Sequence, residues 1–131
     1  MIGNGNGIIT IFRKLYFAII PSSGLRTKYI NEHKELFYYV GKDLFWQPRN
    51  FPADPELIYI GNNVKIASNV VFINHDVADS MLNDKYGGGK FEPVFEPIFV
   101  GDNVMIGANT LILPNVKIGS NVIVGAGSVV T

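Results

Sequence analysis

The chain has 131 residues, 47% apolar and 17% charged, enough for one globular domain, and Lys plus Arg balance Asp plus Glu at 11 each. It contains no cysteine, which excludes disulfides, thiolate metal sites and a cysteine nucleophile. Residues 1–50 carry seven basic and three acidic side chains and residues 51–131 four and eight, so the longer part is mildly acidic and no nucleic-acid groove is expected.

After a Gly/Asn-rich start, residues 8–20 form an apolar run interrupted by Arg13 and Lys14. It falls short of the roughly 20 apolar residues that span a bilayer. No basic stretch precedes it and no A-x-A site follows, which argues against a secretory signal, and Ile2 argues against myristoylation; the cytoplasm is the expected compartment. The run predicts one helix over 8–20, ended by Pro21. A second is predicted over 25–37, capped by Ser22 or Ser23, with Leu25, Tyr29, Leu36 and Phe37 as a partial apolar stripe. Residues 1–39 then read as a helical cap over the open end of the structure that follows. A weak peripheral membrane contact through Phe12, Leu15, Tyr16 and Phe17 is the other use of the first helix. His33, in the charged stretch N-E-H-K-E, reads as a solvated helix residue.

From residue 40 the chain falls into six-residue words. They begin faintly as V-G-K-D-L-F and W-Q-P-R-N-F, break at Pro52, Asp54 and Pro55 with a turn, and resume at Ile60 as I-G-N-N-V-K, I-A-S-N-V-V and F-I-N-H-D-V. From Val94 to Thr131 the frame runs without a slip: V-F-E-P-I-F, V-G-D-N-V-M, I-G-A-N-T-L, I-L-P-N-V-K, I-G-S-N-V-I, V-G-A-G-S-V, V-T. The first and fifth letters are aliphatic or small, a period that fits neither a helix nor a simple alternating strand. Hexapeptide repeats of this kind mean a parallel β-helix, three words to a triangular coil.

The fourth letter marks the corners: Asn63, Asn69, Asn103, Asn109, Asn115 and Asn121, then Gly127. Asn and Gly accept the left-handed backbone conformation most readily, as a tight corner demands. His75 takes an asparagine's place in this column, and its side chain is expected to project from a corner rather than fill the core. The frame is then lost over residues 76–93, an excursion from the coil containing the run Gly87-Gly88-Gly89. That run reads as a flexible hinge, because Lys90-Phe91 does not complete the phosphate-binding pattern G-x-x-x-x-G-K-[ST].

The words, the F-I-N-H-D segment and the excursion after it together resemble the left-handed β-helix acyltransferases, particularly the branch of galactoside, maltose and xenobiotic O-acetyltransferases. The resemblance covers residues 40–131. It implies a mainly β fold, a left-handed parallel β-helix of hexapeptide repeats in a homotrimer. It also implies an enzyme that moves an acetyl group from acetyl-CoA to a hydroxyl of a sugar or glycan-type acceptor. His75 would be the general base, in keeping with an imidazole's ordinary pKa of about 6.5. Asn74 and Asp76 flank it and either orient it or bind the acceptor; Asp79, Asn83, Glu92 and Glu96 are further candidates on the acceptor side.

A backbone N–H near Gly107 or Ala108 would face the oxyanion, and CoA would lie along later coils near Thr110, Lys117, Gly125 and Ala126. One histidine in the coil argues against a three-histidine metal site. Relatives of this kind continue past the V-V-T word with a basic residue and a proline. Here only four lysines and no arginine follow residue 50, which leaves few cations for the CoA phosphates, so a neighbouring subunit or backbone N–H groups would have to contribute to holding them. A noncatalytic trimeric scaffold and N-acetylation of an amino sugar remain the alternative readings.

Overall fold

The computed structural model describes residues 7–131. Helices α1 (Gly7–Ile19) and α2 (Ser23–Glu32) lead into eleven short strands: β1 (Tyr39–Val40), β2 (Phe45–Trp46), β3 (Ile58–Ile60), β4 (Val64–Ile66), β5 (Val71–Phe72), β6 (Ile98–Val100), β7 (Val104–Ile106), β8 (Leu111–Ile112), β9 (Lys117–Ile118), β10 (Val122–Val124) and β11 (Val129–Val130). They stack in parallel as three faces of a prism, ordered β1-β3-β6-β9, β2-β4-β7-β10 and β5-β8-β11.

The hexapeptide frame accounts for this arrangement residue by residue. First-letter side chains Ile60, Ile66, Val100, Ile106 and Ile112 and fifth-letter side chains Val64 and Ile98 are all fully buried along the prism axis. Each such aliphatic side chain contributes about 1.5–3 kcal/mol on leaving water. All six fourth-letter asparagines have positive φ, between 54° and 63°, and Gly127 has φ 71°. Asp43, in the same column of the first word, joins them at φ 58°.

The side chains of these corners also bond along the axis. Asn63 Nδ2 donates to Asn103 Oδ1 at 3.0 Å, Asn103 Nδ2 to Asn121 Oδ1 at 3.1 Å, and Asn69 Nδ2 to Asn109 Oδ1 at 3.1 Å. Second-letter glycines allow the coils to approach: a Cβ on Gly107 would sit 2.7 Å from Ala126 Cα, closer than real side chains come.

Helix α2 covers the open edge of β2. Thr27 Oγ1 accepts from Trp46 N–H at 2.8 Å, and Arg26 donates to Gln47 O at 2.7 and 3.1 Å and to Ile20 O at 2.8 Å. Burial, and after it the like charge of Arg49, lower the Arg26 pKa from its ordinary value; a guanidinium nonetheless stays protonated. Ser22 caps α2, its Oγ accepting from Leu25 N–H at 3.2 Å.

The second helix differs from expectation. It ends at Glu32, because His33 leaves the helical region at φ −127°, ψ 38°, and a short 3₁₀ turn covers Lys34–Leu36. His33 is half-buried rather than solvated, stacked on Tyr29 with ring centroids 4.2 Å apart and Nδ1 at 2.8 Å from Tyr29 O. Leu25 faces solvent, and Arg26 and Ile30 are the buried residues of α2.

The excursion also holds regular structure. It contains helix α3 (Ala78–Tyr86), entered through Asp76 Oδ1, which accepts from Ala78 N–H at 2.9 Å. Gly87, Gly88 and Gly89 all have positive φ, and Gly87 N–H closes the helix on Asn83 O at 2.8 Å. Positive φ at three successive positions is a conformation that glycine adopts without a Cβ penalty.

Candidate active site

Two irregularities fall at one corner of the prism. Partners in neighbouring coils stand 18 residues apart where the repeat is strict, 40 apart across the excursion, and 20 apart across the turn at Pro52–Pro55. The turn precedes β3 and the excursion precedes β6, so both lie where the chain passes from the third face to the first. The coil is left at Asn74 and regained at Glu96. Glu96 N–H donates to Asn74 O, and Asn74 Nδ2 donates to Glu96 O, each at 2.8 Å.

His75 sits at this break, in register with Asn115 one coil on, yet its φ is not positive. Its side chain therefore does not fill the corner as an asparagine does. Its Nδ1 lies 2.6 Å from Asp54 Oδ2 on the preceding coil's turn, and its ring leans on Phe95 with centroids 4.9 Å apart. About 35% of the imidazole is exposed against 17% of the Asp54 side chain, so the carboxylate is the sheltered partner and the ring reaches solvent. A carboxylate accepting from Nδ1–H fixes the tautomer in which Nε2 has a free lone pair.

The group that orients the ring is thus Asp54, whose sequence context marks only a turn. Asn74 is nearly fully buried and spent on the neck of the excursion, and its Oδ1 has no hydrogen-bond donor among the described residues. Asp76 is engaged at the start of α3. Asn83 is also spent, its amide bonding Phe91 N–H at 3.0 Å and Phe91 O at 2.8 Å. Asp76, Asp79 and Glu92 line a shared hollow of about 530 Å³ with Lys90 and Val94. A separate cleft of about 480 Å³, lined by Thr10, Arg13 and Lys14 of α1, reaches Asp54 and Glu56.

The residues expected to face CoA lie elsewhere. Gly107, Ala108, Thr110, Gly125 and Ala126 gather where the second face passes to the third. The Gly107 N–H donates to Val124 O at 2.9 Å and is not free for an oxyanion. Thr110 is fully buried, with its hydroxyl donating to Gly125 O at 3.2 Å, so it belongs to the coil interior. Lys117 is exposed on the first face, its Nζ 5.9 Å from the Phe99 ring centroid.

Fold and repeat together define the class: a left-handed parallel β-helix of the hexapeptide-repeat kind. Residues 97–131 match the family described as "Bacterial transferase hexapeptide (six repeats)". Among curated proteins, the chain is similar to protein CapG of Staphylococcus aureus, 51% identical over 66 residues. It is also similar to YvoF of Bacillus subtilis (strain 168), 42% identical over 76 residues. These alignments cover 50% and 58% of this chain but only 37% and 38% of the relatives' own length.

In three dimensions it is similar to a hexapeptide-repeat acetyltransferase of Vibrio cholerae, with TM-score 0.63 and 24% identity over 92% of this chain and 77% of that one. A maltose O-acetyltransferase of Clostridium difficile 630 gives TM-score 0.59 and 24% identity over 95% and 78%. The Vibrio cholerae protein with acetyl-CoA bound gives TM-score 0.60 and 22% identity over 98% and 81%. Identities this low speak for the fold.

Proposed function

We propose that the chain is a CoA-dependent acetyltransferase acting on a hydroxyl of a sugar or glycan-type acceptor in the cytoplasm, with His75 as general base. The observation that carries this reading is the 2.6 Å contact of His75 Nδ1 with Asp54 at the one corner where two coils break frame. Nε2 takes the proton of the acceptor hydroxyl as its oxygen bonds to the thioester carbonyl carbon. The C–S bond then breaks, and the thiolate leaves with CoA and is protonated. A positioned base of this kind contributes about 10²- to 10⁴-fold in rate. The names of the structural neighbours, one an acetyl-CoA complex and one a maltose O-acetyltransferase, support donor and acceptor class alike. The hollow between α3 and the returning chain, with Asp76 and Asp79, is the acceptor's side.

A homotrimer belongs to this reading. Within one protomer the corner carrying Gly107, Ala108, Gly125 and Ala126 lies one full side of the prism from His75. A closed ring sets that corner of one copy against the His75 corner of the next, which completes a donor site no single chain holds.

The test is release of free CoA thiol from acetyl-CoA in the presence of sugars, hydroxylated antibiotics and amino sugars, with mass measured by light scattering. Replacing His75 by Ala should lower kcat/KM by about 10²- to 10⁴-fold; undiminished turnover defeats the mechanism. Failure to bind acetyl-CoA at millimolar concentration in calorimetry would leave a scaffold, and faster turnover of amino sugars would move the acceptor atom from oxygen to nitrogen.

A further inference from the structure

Helix α1 presents to solvent the face that an ordinary amphipathic helix buries. Ile8, Ile9, Ile11, Phe12, Leu15, Tyr16 and Ile19 are between 51% and 74% exposed. At 3.6 residues per turn they share a continuous arc of about 160° that contains no polar side chain. Arg13 and Lys14 flank this arc on opposite borders, and α1 has no acidic residue.

The orientation is locked. Phe17, on the opposite side, is fully buried, with ring centroids 5.2 Å from Phe51 and 5.5 Å from Tyr29. Just beyond the helix, the Ile20 carbonyl accepts from Arg26 Nη1 at 2.8 Å. Turning the apolar arc inward would lose each of these contacts. Phe17, expected on the outward surface with Phe12, Leu15 and Tyr16, therefore takes no part in it.

We infer that this arc lies in the plane of a membrane surface bearing anionic lipid. An in-plane helix needs a wide apolar arc with aromatic residues and Lys or Arg at its borders, and α1 has all three. Beside it, Lys28 of α2 pairs with Glu32 at 3.7 Å in a groove with Tyr16, Ile19 and Leu25, so the basic border of the patch is Arg13 and Lys14. Seven basic against three acidic residues in positions 1–50 give this end the sign that an anionic bilayer attracts.

A two-fold pairing of α1 with α1 of a second copy is the weaker occupant. A helix about 20 Å long offers about 200–300 Å², against about 800 Å² per partner in a stable interface, and a symmetric contact also brings like charges together. No helix among the described residues is long and apolar enough to cross a membrane. Because α1 also lines the cleft that reaches Asp54, docking would hold that cleft within about one helix diameter, 10–12 Å, of the headgroups. This inference is independent of acetyl transfer.

The test is flotation of the full chain with phosphatidylcholine vesicles, with and without phosphatidylglycerol. Binding should appear with the anionic lipid and fall at least tenfold on replacing Phe12 and Leu15 by Ser. Phe12→Trp keeps the arc apolar and serves if the serine variant fails to fold. Its emission should shift to the blue and be quenched by brominated acyl chains, while buried Trp46 gives a constant background. No flotation at any composition, flotation indifferent to the serine changes, absence of quenching, or an oligomer that the serine changes split instead would each overturn the inference.

Discussion

The strict coil of residues 98–131 and the corner shared by the Asp54 turn and the excursion are made from the same six-residue word, and they differ in what the fourth letter does. In the strict coil the asparagines take left-handed φ, and Asn103 Nδ2 donates to Asn121 Oδ1 along the axis. There the fourth letter serves the corner itself. At the broken corner His75 has no left-handed turn to make, and its ring turns to Asp54 and outward. Regularity supplies stiffness, and chemistry becomes available where the regularity lapses in two consecutive coils.

The difference between corner and coil is tested most directly at Asp54. A hydrogen bond to a charged group contributes about 1.5–3 kcal/mol, which in a transition state is about 10- to 100-fold in rate. Asp54→Asn should therefore lower kcat by that factor, less than His75→Ala does, while the thermal midpoint hardly moves. An equal loss for both variants would mean that Asp54 does more than orient. No loss would remove it from the site.

A change of similar character in the strict coil should act on stability instead. Asn109 has φ 60° and accepts from Asn69 Nδ2 at 3.1 Å. Asn109→Ala loses that bond and places a Cβ residue less tolerant of left-handed φ at the corner, a cost of about 1–3 kcal/mol. The shift in denaturant midpoint at unchanged slope measures it, and turnover per folded molecule should stay as it was.

How far the sequence carried these conclusions depended on whether the controlling partner was itself in the repeat. The first and fifth letters gave the core, and the fourth gave the left-handed corners, because each coil imposes the same demand on the next. His75 stood out against that frame for the same reason. Asp54 was illegible because its pairing with His75 depends on stacking two irregular segments, and nothing in the local turn residues states it. One signal was present: the interruption at Pro52–Pro55 falls at the same point of the triangle as the excursion.

Helix α3 also left marks in the sequence, with Asp76 to hold its first turn and Gly87 to end it, but a nine-residue helix with a weak apolar stripe gives little periodicity. The direction in which α1 faces was beyond reach. Its pattern specifies an amphipathic helix, whereas Phe17 and two arginines from other elements decide which side is docked.

The smallest effect gives the sharpest comparison, because it is a difference of sign. At Asn109 the backbone is left-handed, so glycine should be more stable than alanine by about 1 kcal/mol, its freedom at positive φ outweighing its greater flexibility when unfolded. At His75 the φ is not positive. Glycine there gains nothing from its left-handed freedom and keeps the entropic cost, so His75→Gly should be less stable than His75→Ala by about 0.5–1 kcal/mol. Loss of the half-exposed Asp54 contact is common to both His75 variants and cancels. Paired denaturant titrations of the four proteins would show the two differences with opposite signs. The same sign at both positions would mean that His75 occupies an ordinary corner of the coil, and the distinction between framework and site would have to be drawn elsewhere.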